Sequence, residues 1–120
     1  MPTKDFHLDL KNLVDNYVHL VYALTRSLPK EELYGITSQL RRSALSVVLN
    51  YIEGYARRRS RVLKNFLETA YGSLKESEYL LLFCRQEKMV SEKDCETALV
   101  LANKIGGMLW GIIRRLEDTV

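Results

Sequence analysis

Apolar residues recur along this chain at the period of a helix. Leu10, Leu13, Val14, Tyr17, Val21, Leu24 and Leu28 keep the i, i+3, i+4, i+7 spacing and predict a first helix over residues 9–27. Pro29 stops it, because its ring pushes the preceding residue out of helical geometry. A second helix is expected over 31–53, with Glu31 and Glu32 at the positive end of its dipole and Gly54 as the weak point where it stops. A third is expected over 60–86, capped by Ser60, and a fourth over 91–117, where Ser91 caps and Asp94 follows three residues on. Short connections make successive helices antiparallel neighbours. The pattern therefore reads as all-α, a single up-down-up-down four-helix bundle over residues 1–120.

The pattern also holds more apolar surface than a monomeric bundle needs. On the second helix Ile36, Leu40, Ala44, Val47 and Tyr51 form one stripe, while Tyr34, Leu45, Val48, Leu49 and Ile52 form another. Only Gln39, Arg42, Ser46, Asn50 and Glu53 make a narrow polar strip between them. The third helix is apolar all round from Tyr79 through Leu80, Leu81 and Leu82 to Phe83. On the fourth, Val100, Gly107 and Gly111 face away from Ile105, Leu109, Ile112 and Leu116, and small residues let another backbone approach. Contiguous second faces predict a homo-oligomer that buries Tyr34, Leu45, Val48, Leu49, Ile52, Tyr79, Leu80, Phe83, Gly107 and Gly111. Within the third helix, Gly72 is expected to permit close helix packing and Ser73 to bond its own backbone.

Composition narrows the class. At 120 residues, 47% hydrophobic and 28% charged, the chain is neither disordered nor fibrous, and two Pro with six Gly are too few for an all-β protein. No apolar run approaches the ~20 residues that span a bilayer, and the start, Met-Pro-Thr-Lys-Asp, has no signal-peptide segment. The expectation is a cytoplasmic protein with no membrane partner. Cys84 and Cys95 are then reduced thiols packed near a helix–helix connection.

Charge is concentrated. Arg57, Arg58, Arg59, Arg61 and Lys64 together outweigh the net charge of +3, so the rest of the chain is net negative. Such a cluster at the connection between the second and third helices supplies the salt-sensitive, sequence-independent part of nucleic-acid affinity. Arg41 and Arg42, earlier on the second helix, extend the patch or brace a subunit interface. Tyr55 is the one aromatic within the cluster, so phosphate contact or shape recognition is favoured over base stacking. An acidic protein partner and a merely solvated loop, with Arg57 paired to Glu53, are the competing readings.

Catalytic constellations are missing from the sequence. His7 and His19 are the only histidines, and His19 is expected to pair with Asp15. No Glu precedes a His by three residues, as a di-iron bundle requires, and the spacing of Cys84, Cys95 and the histidines does not favour zinc. No nucleophile elbow, P-loop or dinucleotide fingerprint occurs. Glu53, Glu76 and Glu78 are acids without a base or nucleophile to work with. The reading is a non-enzymatic protein with no cofactor, metal or catalytic residue.

Particular stretches resemble a known family. Tyr34-Gly35-Ile36-Thr37-Ser38-Gln39-Leu40-Arg41-Arg42-Ser43-Ala44, then Asn50-x-x-Glu53-Gly54 with the basic run and Ser60, are similar to the signature of proteins encoded in intervening sequences of bacterial 23S ribosomal RNA genes. Phe66-Leu67, Ala70-x-Gly72-Ser73-Leu74-x-Glu76, Leu24-Thr25 and Leu28-Pro29-x-Glu31 continue the likeness, which spans about Leu8 to Leu116. The resemblance implies an antiparallel four-helix bundle assembled as a ring-like homopentamer. It also implies kinship with the accessory proteins of diversity-generating retroelements, which associate with a reverse transcriptase and with nucleic acid. The family's usual proline in the second helix is absent from Ser46-Val47-Val48-Leu49-Asn50, which implies a straighter helix with a more apolar face. The expectation is an oligomeric bundle that binds RNA or another nucleic acid through a basic rim, with a reverse-transcriptase accessory scaffold as the alternative.

Overall fold

The computed structural model describes residues 3–119. Its elements are α1 (Lys4–Thr25), a 3-10 turn (Lys30–Glu32), a wide π-type turn (Leu33–Thr37), α2 (Ser38–Arg57), α3 (Ser60–Gln86) and α4 (Glu92–Thr119). No strand occurs among the described residues. The bundle measures 45 × 24 × 19 Å.

Cross-helix contacts set the directions. The start of α1 meets the end of α2, where His7 Nδ1 lies 2.7 Å from the Tyr51 hydroxyl. The end of α1 meets the start of α2, where Arg41 Nε donates to Thr25 Oγ1 at 2.7 Å. Between α2 and α3, Gly54 lies against Leu63 and Phe66, and Ser46 meets Ser73 further back along α2. Lys64 of α3 approaches Glu117 of α4 to 4.0 Å, and Cys95 Sγ of α4 donates to the Leu81 carbonyl of α3 at 3.5 Å. Each consecutive pair is therefore antiparallel, as the short connections require. Across the bundle Tyr17 of α1 reaches Ser77 of α3 at 2.7 Å.

Local chemistry explains where the boundaries differ from expectation. α1 begins at Lys4, because the Thr3 hydroxyl accepts from the Phe6 amide at 3.1 Å and Asp5 sits in the first turn. Residues 31–37 are not regular α-helix. The chain passes from a 3-10 turn into the π-type turn, and Gly35 takes a non-helical conformation (φ −108, ψ −111) there. Gly54 does not end α2. The helix runs on to Arg57 and stops where Arg58 adopts left-handed backbone (φ 60). Gly54 instead serves close packing: a Cβ there would stand 2.9 Å from Phe66 Cβ and 3.1 Å from Leu63 Cδ1. Ser60 is the first residue of α3 rather than its cap, which is the extended Arg59. Ser91 caps as expected, its hydroxyl accepting from the Asp94 amide at 3.1 Å.

The core is one cluster centred on Tyr17, Leu40, Leu67, Leu74, Leu81, Ile105 and Leu109. Ile36 lies at its margin, half-buried. Cys84 and Cys95 are buried free thiols, and burial pushes the Cys84 thiol up to about 11, out of reach of ionisation near neutrality. Gly72 is exposed, with nothing within 4 Å of an added Cβ, so it does not mediate packing. Its neighbour Ser73 bonds across to Ser46 rather than to its own backbone.

Candidate functional site

One end of the bundle gathers the basic residues. The two-residue step between α2 and α3 holds Arg58 and Arg59 at a sharp corner, and Arg61 follows in the first turn of α3. All three are exposed, and their side chains make no ion pair among the described residues. Arg57 is oriented as the spacing predicts: its Nη2 donates to Glu53 Oε1 at 2.7 Å, and its guanidinium lies 5.5 Å from the Phe66 ring centre. Both partners are half exposed, so the pair aims Arg57 more than it stabilises the fold. Lys64 is largely sheltered beside Glu117.

Topology adds residues that the linear cluster omits. Because α4 ends where α3 begins, Arg114 and Arg115 come within a turn of Glu117 at this same end, both exposed, and Lys4 opens α1 beside the end of α2. They belong to no basic run in the sequence. Only the antiparallel order of the helices could have revealed them.

Arg41 and Arg42 are not part of this pole. Sixteen positions of helix put Arg41 about 24 Å from Arg57. Its guanidinium is engaged within the chain, bonded to Thr25 and 4.7 Å from the Tyr22 ring centre. It braces α1 against α2. Arg42 faces a separate groove between α2 and α3.

An aromatic cluster sits beneath the pole. His7 packs against Tyr55 at 4.7 Å between ring centres, and Tyr55 against Tyr51 at 5.0 Å. Burial raises the phenol of Tyr51 to about 12 and lowers the His7 imidazole below its ordinary 6.5. The unfolded chain therefore takes up a proton at His7 as pH falls through 6.5, while the folded chain resists until lower pH. The stability from neutral His7 is complete above pH 6.5 and is lost as pH falls toward the lowered value. Thermal melts between pH 8 and 5 will show a steeper loss for the natural chain than for His7→Phe. Parallel profiles would remove His7 from the account. The other histidine, His19, is exposed and forms no ion pair with Asp15.

The second faces are in part where the pattern puts them. Tyr34 (93%), Tyr79 (65%), Leu49 (59%) and Ile52 (50%) are exposed, with Phe83 at the margin. Val48 and Leu80, at 9% each, belong instead to the chain's own core, and Leu45 is half-buried. Gly107 and Gly111 are open, with nothing within 4 Å of an added Cβ, and floor a groove of about 370 Å³ beside Phe6, Met108 and Ile112. Trp110, half exposed and 5.6 Å from the Tyr71 ring, is an apolar surface residue that the pattern did not single out. No helix among the described residues is long and apolar enough to cross a membrane.

The description "23S rRNA-intervening sequence protein" fits residues 7–111 of the chain at the level of a family model. No curated protein matches it. A crystal structure of a protein of unknown function from the S23 ribosomal protein family of Bacteroides thetaiotaomicron is similar in fold. Its TM-score is 0.83 at 20% identity, over 91% of this chain and 98% of that one.

Proposed function

Starting from the fact that the chain belongs to the 23S rRNA-intervening sequence protein family, we propose that it is a non-catalytic, oligomeric bundle that binds RNA or another nucleic acid through its basic pole. The observation that carries this reading is the exposed trio Arg58, Arg59 and Arg61 at a two-residue corner, without an ion pair among the described residues, with Arg57 aimed beside them and Arg114 and Arg115 arriving from α4. Phosphate contact needs only such a field of guanidiniums, and its strength falls with salt as counterions return. Glu53 orients Arg57 and does no chemistry.

The oligomeric part rests on the apolar faces. Leu49 and Ile52 lie on α2, Tyr79 and Phe83 on α3, and Val100 and Trp110 on α4, so exposed apolar residues occur on three helices. Apolar residues exposed on three helices suit a head-to-tail ring, such as a homopentamer, in which different surfaces of neighbouring subunits meet. A ring would repeat the basic pole once per subunit and multiply its field. The same faces favour a second reading, a scaffold docking a protein such as a reverse transcriptase in the bacterial cytoplasm.

The test is fluorescence anisotropy of nuclease-treated protein with a structured RNA and a matched DNA duplex across a salt series. Affinity is expected to fall with salt at a log-log slope of about 0.7 to 0.9 per phosphate contact. Replacing Arg57, Arg58, Arg59 and Arg61 together by Gln is expected to abolish binding, with circular dichroism and light scattering unchanged. Unchanged affinity in that variant overturns the proposal, and capture of a protein partner after nuclease treatment would establish the scaffold instead.

A further inference from the structure

The groove between α2 and α3 has no part in the basic pole. It is open to solvent, offers about 420 Å³ and is lined by Gln39, Arg42, Ser43 and Ser46 of α2 and by Ser73 and Glu76 of α3. This is within the size range of small-molecule sites, yet every lining side chain can hydrogen-bond. Arg42 lies fifteen positions before Arg57, about 22 Å along the helix.

The hydrogen bonds of the floor leave something over. Asn50 Nδ2 donates to the Ser46 carbonyl at 2.8 Å and to Ser46 Oγ at 2.9 Å. Ser46 Oγ and Ser73 Oγ are 2.8 Å apart. Two hydroxyls share that one contact, so whichever donates, the other keeps a proton for a third group. Ser43, in contrast, is committed to the Leu40 carbonyl at 3.0 Å. Arg42 and Glu76 form no ion pair among the described residues, with each other or with anything else.

The groove thus offers a forked cationic donor on one wall, a carboxylate acceptor on the other, and a spare hydroxyl donor between them. Its charges cancel, so it has no preference for polyanions. A ligand must bring an acceptor edge to α2 and a donor edge to α3. An α-amino acid carries both charges on one carbon and offers neither wall a paired edge. A guanine ring offers both: its O6 and N7 match a guanidinium, and its N1–H and N2–H₂ match a carboxylate. Adenine reverses part of this pattern, since N6 would meet Arg42 donor to donor. We propose that the α2–α3 groove, by juxtaposing Arg42 with Glu76 across the Ser46–Ser73 pair, is a binding site for an unpaired guanine base. The base is read by its edges, and the site is separate from the phosphate-contacting pole.

Guanosine is the probe, because it is uncharged and the basic pole gives it nothing. Titrated into the ¹⁵N-labelled protein, it is expected to shift the amides of Gln39, Ser46, Ser73 and Glu76. Inosine, lacking N2, and 7-deazaguanosine, lacking N7, should each bind roughly tenfold more weakly, as should guanosine to Arg42→Gln or Glu76→Gln, from one lost edge contact. Adenosine should leave these amides unmoved. Equal shifts with adenosine and guanosine, or shifts confined to other residues, overturn the proposal. A second arm compares a short single-stranded RNA containing one guanosine with the same strand containing inosine. Discrimination there assigns the base to an RNA strand, and discrimination by the free nucleoside alone assigns it to a soluble ligand. Loss of RNA affinity in the four-arginine variant with the guanosine shifts retained separates this site from the basic pole.

Discussion

Replacing Gly54 by valine will destabilise the bundle by about 3 kcal/mol and loosen the basic pole with it. Even the first added carbon has nowhere to go, since it would stand 2.9 Å from Phe66 Cβ and 3.1 Å from Leu63 Cδ1. Phe66 Cβ is fixed to the backbone of α3, so relief requires the two helices to separate. Helix propensity works the other way by about 1 kcal/mol, so Gly54→Ala will lose less, about 1 kcal/mol net. Gly72 is the control. It is exposed, in mid-helix, with open space around it, and Gly72→Ala will stabilise by about 0.5–1 kcal/mol. Urea unfolding of the three variants checks the order. The account fails if Gly54→Val and Gly72→Ala move the midpoint the same way. Separation of α2 from α3 also disturbs the contact of Arg57 with Phe66, so under the proposed function Gly54→Val should weaken nucleic-acid binding in the folded protein.

The second large effect lies at the centre of the core. Tyr17 is fully buried, and Tyr17→Ala will cost about 3–5 kcal/mol through the cavity it leaves. Its hydroxyl has an assignable direction. Ser77 Oγ donates to the Leu74 carbonyl at 2.7 Å, which uses its only proton, so in the 2.7 Å contact between the hydroxyls it is Tyr17 that donates. Removing the two oxygens is therefore not symmetrical. Tyr17→Phe leaves Ser77 with its own bond intact and will cost about 1 kcal/mol. Ser77→Ala strands a buried phenol without an acceptor and will cost about 2 kcal/mol. The double variant, with neither group left unpaired, will recover part of that loss. A double-mutant cycle by urea unfolding decides it, and strict additivity would reject the assigned direction.

The helices were legible because each carries its own period and its own stops, although Ser60, read as the cap of α3, is its first residue. What sequence reading missed depends on partners far along the chain. Gly54 looks like a helix end when α2 is read alone, and becomes a contact point only once Phe66 lies against it. Val48 and Leu80 sit on apolar faces that look surplus on an isolated helix, yet the bundle's own neighbours cover them. Tyr34 and Tyr79 remain uncovered, as the pattern suggested. The basic run from Arg57 to Lys64 is contiguous and could be read directly. Arg114 and Arg115 join it only through the antiparallel return of α4. The polar strip of α2 was visible as Gln39, Arg42, Ser46 and Asn50, but its opposite wall required the register that sets Ser73 against Ser46.

The joint between α2 and α3 has a thermodynamic consequence. Arg58 and Arg59 have left-handed and extended backbones held between two long helices, so their main-chain freedom is already lost when the protein folds. A flexible basic tail with the same charge would lose roughly 1–2 kcal/mol per residue in backbone entropy on meeting its target. Here only side-chain rotamers remain to be ordered. In the proposed contact with nucleic acid, the corner would meet a rigid array of phosphates at little entropic cost, and would gain correspondingly little from a target that must itself be bent to fit.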